Sequence, residues 1–179
     1  MDHPPLIVLI GPMGAGKSSI GRQLARQLGC DFVDSDRELE HRTGVDIPVI
    51  FEIEGEEGFR RREKAVIEDL SESGDRVLAT GGGAILDPDT RRILRHRGVV
   101  VYLQTSIEEQ LRRTRRDRNR PLLQTADPET RLRQLMAERE PLYRETAHVV
   151  VDTGAGGVPQ LAKEIIQALE GWKAEHDGS

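Results

Sequence analysis

Eight residues constrain this chain more than all the others: Gly11-Pro12-Met13-Gly14-Ala15-Gly16-Lys17-Ser18, a complete G-x-x-x-x-G-K-S pattern. The pattern carries meaning only between a strand and a helix, and that context is present. Leu6 to Ile10 is a continuous apolar run, suited to a strand buried on both faces. After Gly16, residues Ile20, Leu24, Ala25 and Leu28 recur at helical spacing until Gly29 stops them. Glycines let successive backbone N–H groups curl around a phosphate with no Cβ in the way. The helix N-terminus adds partial positive charge. Lys17 supplies a point charge for the outer phosphates, and the Ser18 hydroxyl is a magnesium ligand. The motif thus points to a nucleoside triphosphate and says nothing of what receives the phosphate.

The remaining periodicity sets the fold around that loop. Short strands are predicted at 32–34, 77–79, 99–103 and 149–151, with helices between them, the last carrying Leu161, Ile165, Ile166 and Leu169. Two helices are expected over 47–55 and 57–73, and the chain after Lys173 is expected to fray. Ser35 and Glu38 read as a capping box, as do Ser106 and Glu109. Asp87-Pro88 and Asp127-Pro128 each open a helix. Five strands interleaved with helices give an α/β fold, a five-stranded parallel sheet with helices on both faces. Ligands on such sheets bind outside the carboxyl ends of the strands. That rule selects the phosphate loop, Asp34 to Asp36, Thr80 to Gly83 and the turn after Leu103.

Composition narrows the partners. A chain of 179 residues is one ordinary domain. Its net charge of −5 and 3% aromatic content argue against a nucleic-acid binder. No apolar run approaches the ~20 residues needed to cross a bilayer. The opening MDHPPLIVLIG is short and lacks the basic start of a signal peptide. Cys30 is the single cysteine, which excludes an internal disulfide framework and a cysteine-based zinc site. A cytoplasmic setting is expected, with no nucleic acid or membrane as partner and, for want of an interface signature, a monomer.

Several residues are candidates for chemistry. Asp34 and Asp36 fall on the same side if the chain stays extended, one placed to hold magnesium through water, the other to take a proton from a substrate hydroxyl. Asp36 has a second reading, as a carboxylate in a first helical turn that complements the dipole. Arg60, Arg61 and Arg62 form a helical run, a solvated face from which one member points into a cleft. Arg139 suits either a surface ion pair with Glu138 or Glu140 or a ligand clamp. Gly81-Gly82-Gly83 at a strand end fits close approach of a ligand, or a loose turn. Six arginines crowd 112–120, namely Arg112, Arg113, Arg115, Arg116, Arg118 and Arg120. A mobile lid over triphosphate accounts for them better than a nucleic-acid patch. Arg120, held extended by Pro121, is placed to stabilise charge on a transferring phosphoryl group.

Taken together, these segments resemble shikimate kinase of the nucleoside monophosphate kinase-like fold, over about residues 5 to 170. The marks are G-P-M-G-A-G-K-S-S at 11–19, D-S-D at 34–36, G-F-R-R-R-E at 58–63, T-G-G-G-A at 80–84, R-P-L-L at 120–123 and E-R-E-P-L-Y at 138–143. The first is generic; the others in this order are specific. The resemblance implies a three-layer, single kinase domain over 1–179 that phosphorylates the 3-hydroxyl of shikimate with ATP and magnesium. Residues 35–63 would bind shikimate and 112–126 would form a mobile lid. It further implies that Gly14, Ala15, Gly16, Lys17, Ser18 and Ser19 hold the phosphates, with Ser18 and Asp34 at the metal. Asp36 would bind shikimate hydroxyls and act as base, and Arg60 and Arg139 would clamp its carboxylate, for which guanidinium forks are suited. The backbone at Gly81 to Gly83 would line the same site, and Arg120 would touch ATP. The loop Thr153-Gly154-Ala155-Gly156-Gly157 departs from many relatives in lacking a polar side chain near the base, which leaves Arg113 or backbone for that contact. Another small-molecule kinase, for gluconate, is the nearest alternative.

Overall fold

The computed structural model describes residues 5–115, 125–154 and 156–177. Five strands, β1 (Leu6–Ile10), β2 (Asp31–Asp34), β3 (Arg76–Ala79), β4 (Gly98–Gln104) and β5 (Val149–Asp152), form one sheet in the order β2-β3-β1-β4-β5. Every pairing is parallel, and Val8 of β1 lies level with Leu78 of β3 and Val100 of β4. The order reverses beside β1, which opens a crevice where β1 ends and the phosphate loop begins.

The apolar strands are explained by burial on both faces. Leu6, Val8 and Ile10 of β1 join one core with Leu78, Val100 and Tyr102. Ile7 and Leu9 join the other with Val77, Val101 and Leu103. The helices α1 (Lys17–Leu28) and α7 (Val158–His176) cover the second face through Ile20, Leu24, Leu161 and Ile165. The first face packs against α2 (Ser35–Thr43), α3 (Ile47–Leu70), α4 (Pro88–Arg97) and α6 (Pro128–Thr146), with Leu39, Phe59, Leu94 and Tyr143 inside. A shorter helix, α5 (Ile107–Thr114), follows β4, and a turn of 3₁₀ helix spans Ala84–Leu86.

Three local expectations change. The cap of α2 is Asp34 rather than Ser35: its Oδ1 accepts from the amides of Asp36 at 3.0 Å and Arg37 at 3.3 Å, while Ser35 is buried. A carboxylate at the strand end is the stronger acceptor for those first-turn donors. The 47–55 and 57–73 helices run together as α3, broken at Gly55 with φ +71° and ending at Leu70. The C-terminus does not fray at Lys173, because α7 continues to His176, whose ring stacks on Trp172 with centroids 4.4 Å apart. The expected caps at Asp87, Ser106 and Asp127 all form.

Candidate active site

The phosphate loop takes the conformation its glycines permit. Gly14 has φ +80° and Gly16 φ +84°, in the left-handed region that side chains rarely adopt. The Gly14 constraint is doubled by contact, since a Cβ there would lie 3.1 Å from the Gln110 backbone of α5. Lys17 Nζ donates to the carbonyls of Gly11 at 2.5 Å and Pro12 at 2.8 Å, which holds the ammonium over the loop. Arg113 of α5 donates from Nη1 to the Gly14 carbonyl at 2.9 Å and from Nε to Glu109 at 2.9 Å. Arg113 therefore closes one wall of the loop.

The opposite wall comes from the end of β2. The Ser18 hydroxyl donates to Asp34 Oδ2, so one carboxylate both caps α2 and meets the hydroxyl of the phosphate motif. Asp36 lies in the first turn of α2, so the extended alternation expected for the two aspartates does not occur. They converge all the same. A cavity of about 400 Å³ is lined by Gly14, Gly16, Lys17, Ser18, Ser19, Arg22, Asp34, Asp36, Arg37, Thr80, Gly81 and Arg113. Of the loop residues expected there, Ala15 is fully buried in the core and offers only its backbone.

Beyond Gly81 the chemistry changes from phosphate binding to a cluster of buried charges. A Cβ on Gly81 would lie 2.8 Å from Asp36 Oδ1 and 2.9 Å from Glu63 Oε2, so both carboxylates press on this glycine. Glu63, 3% exposed, accepts from Arg60 Nη1 at 2.8 Å. Burial pushes its pKa up, opposed by Arg60 and Arg139. Arg60 also pairs with Glu56 at 3.6 Å, and its guanidinium lies against Gly83. Arg60 thus faces a second cavity of about 500 Å³ on the far side of the glycine loop, between α3 and the start of α4. Arg61 and Arg62 stay on the solvated face, paired with Glu57 and Glu54.

Arg139 decides between its two readings. It is 3% exposed, not a surface residue, and its Nε is buried with no hydrogen-bond partner among the described residues. Burial holds its pKa below the usual guanidinium value; Arg60 adds to this and Tyr143 opposes it. A Cβ on Gly82 would lie 3.6 Å from Arg139 Nη1 and 3.5 Å from the Met13 amide. The triple glycine is therefore a close-packed joint between phosphate loop and arginines, and the loose-turn reading fails.

Two residues here carried no expected role. Glu63 lies three residues after Arg60 and Tyr143 four after Arg139, spacings that put each beside its arginine on one helix face. The helical spacing was the available signal. Arg120, with residues 116–124 of the lid expected over 112–126, lies outside the described residues, while 112–114 of that range form the end of α5. Among the described residues no cluster of three or more His, Cys, Asp or Glu forms a metal site. Ser18 and Asp34 nevertheless fit magnesium, a hard ion that takes one or two protein oxygens and completes its shell with water and phosphate.

A parallel sheet with a phosphate loop at its switch point, next to a carboxylate and buried arginines, defines a phosphate-loop kinase with a small anionic acceptor. The shikimate kinase family profile matches residues 13–170. Shikimate kinases of Halorhodospira halophila and Thioalkalivibrio sulfidiphilus are 58% and 61% identical, over 94% and 92% of this chain and 95% and 87% of theirs. The structure of shikimate kinase from Acinetobacter baumannii in complex with shikimate superposes with a TM-score of 0.92, at 53% identity and over 94% of each chain. The chain belongs to the shikimate kinase family, ATP-dependent kinases acting on shikimate.

Proposed function

We propose that this chain transfers the γ-phosphoryl group of ATP to the 3-hydroxyl of shikimate, and that the residues described above divide the work. The observation that carries the assignment is the place of Asp36. Its carboxylate lines the phosphate-loop cavity and at the same time presses on Gly81, opposite Glu63 and the arginines. A hydroxyl accepted there faces phosphate on one side and its own carboxylate's clamp on the other.

The chemistry then follows from position. Asp36 orients the acceptor hydroxyl and takes its proton as the new O–P bond forms and the bond from the γ-phosphorus to ADP breaks. Lys17 and the loop amides from Gly14 to Ser19 stabilise the negative charge on the equatorial oxygens. Ser18 and Asp34 would hold magnesium, which would supply charge neutralisation for the transferring phosphate. Arg139 and Arg60 receive the shikimate carboxylate against the Gly82-Gly83 backbone. Arg139 is the stronger contributor, because Arg60 already pairs with Glu63 and Glu56. Arg113 is placed beside Gly14 to meet the nucleotide. Arg120 would touch ATP, as the family resemblance implies, and, held extended by Pro121, stabilise charge on the transferring phosphoryl group.

We further read the protein as a cytoplasmic monomer, a single kinase domain taking small molecules and neither nucleic acid nor membrane. A supply of ATP and the acidic balance of the chain support this. No helix among the described residues is long and apolar enough to cross a membrane. The experiment is ADP release with magnesium and ATP in the presence of shikimate, gluconate, CMP, AMP or nothing. Shikimate alone is expected to stimulate release. Equal slow release in all five, or stimulation by gluconate alone, overturns the acceptor assignment.

A further inference from the structure

The glycine joint needs something to hold it, because Gly81 to Gly83 belong to neither β3 nor the following 3₁₀ turn. The backbone bonds Ala84 N–H to Gly81 O at 3.2 Å and Leu86 N–H to Gly83 O at 3.1 Å fix its exit. The middle is fixed by a side chain from another element: the Tyr143 hydroxyl donates to the Gly82 carbonyl at 2.5 Å.

Tyr143 is itself immobilised. It is fully buried, and its ring stacks on that of Tyr102 in β4, with centroids 5.0 Å apart and planes at 24°. The Tyr102 hydroxyl donates to Glu140, and Arg144 Nε holds the same carboxylate at 2.6 Å. Tyr143 also stands one turn beyond Arg139 on α6, and Gly82 lies against that guanidinium, its Cβ position 3.6 Å from Arg139 Nη1. Gly82 in turn packs against the phosphate loop, where its Cβ position is 3.6 Å from Gly11 O and 3.5 Å from Met13 N. One phenol therefore holds the peptide that lies between the acceptor arginine and the phosphate loop.

A buried tyrosine hydroxyl needs a partner, and any core carbonyl would satisfy it. Here the partner is the carbonyl of a residue in the candidate acceptor site. The Gly82–Gly83 peptide, like the others among the described residues, is trans, so turning the Gly82 carbonyl toward Tyr143 turns the Gly83 N–H away from it. We propose that Tyr143 is a positioning residue for the acceptor: its hydroxyl fixes the Gly82–Gly83 peptide and the Arg139 guanidinium in one register before shikimate binds. The proposal rests on the assignment of Arg139 and the glycine loop to shikimate. Burial raises the pKa of the phenol well above its ordinary value, so it stays a donor across the working pH range.

The test compares three variants in the ADP-release assay with each substrate varied in turn. Tyr143→Phe keeps the ring and its stack and loses only the hydroxyl. It is expected to raise KM for shikimate about 5- to 30-fold, the effect of one buried hydrogen bond, with KM for ATP within about twofold. Tyr102→Phe breaks the neighbouring bond to Glu140 in the same stack and is expected to leave KM for shikimate unchanged. Arg139→Met tests the underlying assignment: an unchanged KM for shikimate there removes the site reading itself, and this proposal with it. With Arg139→Met impaired, the proposal is overturned if Tyr143→Phe leaves KM for shikimate unchanged, if it raises both KM values together, or if Tyr102→Phe matches its effect. Hydrogen exchange on the unaltered protein decides the matter even if Tyr143→Phe does not fold. Slow exchange of the Ala84 and Leu86 amides without shikimate supports a preset loop, and exchange at the unprotected rate overturns it.

Discussion

Arg139 carries two opposed effects, and Arg139→Met separates them. In the folded chain its guanidinium is almost wholly buried, its Nε lacks a partner among the described residues, and the nearby Arg60 repels it. A buried charge without full compensation costs several kcal/mol after relaxation. Methionine has similar length and no charge, and its flexible thioether fills irregular space. The substitution is therefore expected to stabilise the ligand-free protein by about 1–2 kcal/mol, or about 2–8 °C in Tm for a domain of this size. Function moves the other way. Losing a charge-assisted bond to a buried carboxylate costs about 2–5 kcal/mol, which is about 30-fold to several thousand-fold in shikimate affinity. The assay is thermal unfolding with and without shikimate, read beside the ADP-release kinetics. In the parent protein, shikimate at 100 times its Kd adds about 2.7 kcal/mol of stability. At that same concentration the variant should start from a higher Tm and gain at most about 0.9 kcal/mol. A variant that unfolds earlier and still responds to shikimate would refute both the strained-charge argument and the clamp.

Three further outcomes are expected. Asp36→Asn removes the proton acceptor but keeps the shape, so phosphoryl transfer to shikimate should fall at least about 100-fold while ATP affinity, followed by nucleotide titration, changes about twofold or less; turnover near that of the parent would end the base role. Gly81→Ala places a methyl 2.8 Å from Asp36 Oδ1 and 2.9 Å from Glu63 Oε2, displacing both carboxylates. Activity should drop about 10- to 100-fold with at most about 1–3 kcal/mol lost in urea unfolding, and unimpaired turnover would show that Asp36 tolerates displacement. His148 Nδ1 accepts from the Val100 amide at 2.9 Å, and burial, with Arg95 and His176 nearby, holds its pKa below the ordinary 6.5. The unfolded chain therefore binds a proton at His148 more readily, so this residue's contribution is complete above pH 6.5 and lost as pH falls through 6.5 toward the lower folded value. Trp172 packs edge-on to His148 with centroids 5.3 Å apart, and its fluorescence reports the transition. In His148→Asn, whose carbonyl accepts the same bond without titrating, the slope of stability between pH 7 and 5 should flatten; an unchanged slope would clear His148.

What the sequence disclosed and what it hid follow a physical division. The phosphate loop was legible because a contiguous segment supplies both its geometry and its chemistry. The parallel sheet was legible because burial on both faces leaves uninterrupted apolar runs at Leu6–Ile10 and 99–103. Arg139 was not legible from spacing, since its neighbours Glu138 and Glu140 suit a surface ion pair. It packs against Gly82, which is distant in sequence. Asp36 was placed in the right cavity by an argument that failed locally. The aspartates converge because α2 begins at once and turns Asp36 back over Gly81, not because the strand continues.

The glycine loop explains why the two halves of the site must be built together. On one side Asp36 and the phosphate loop line one cavity; on the other, Arg60 and Glu63 line a second, with Arg139 against Gly82. A side chain at 81 or 83 would strike Asp36 or Arg60, so only glycine there lets both sets approach the same backbone. That approach brings like charges together, Asp36 with Glu63 and Arg60 with Arg139. The pairs of Arg60 with Glu63 and Glu56 offset part of it from within the chain. An acceptor with one carboxylate and a hydroxyl would complement this site: an anion for Arg139 and a donor for Asp36. Acceptor selectivity is therefore expected to follow the charged groups around three glycines, and altering Arg139 or Asp36 should change which acceptor is used before it changes whether ATP is bound.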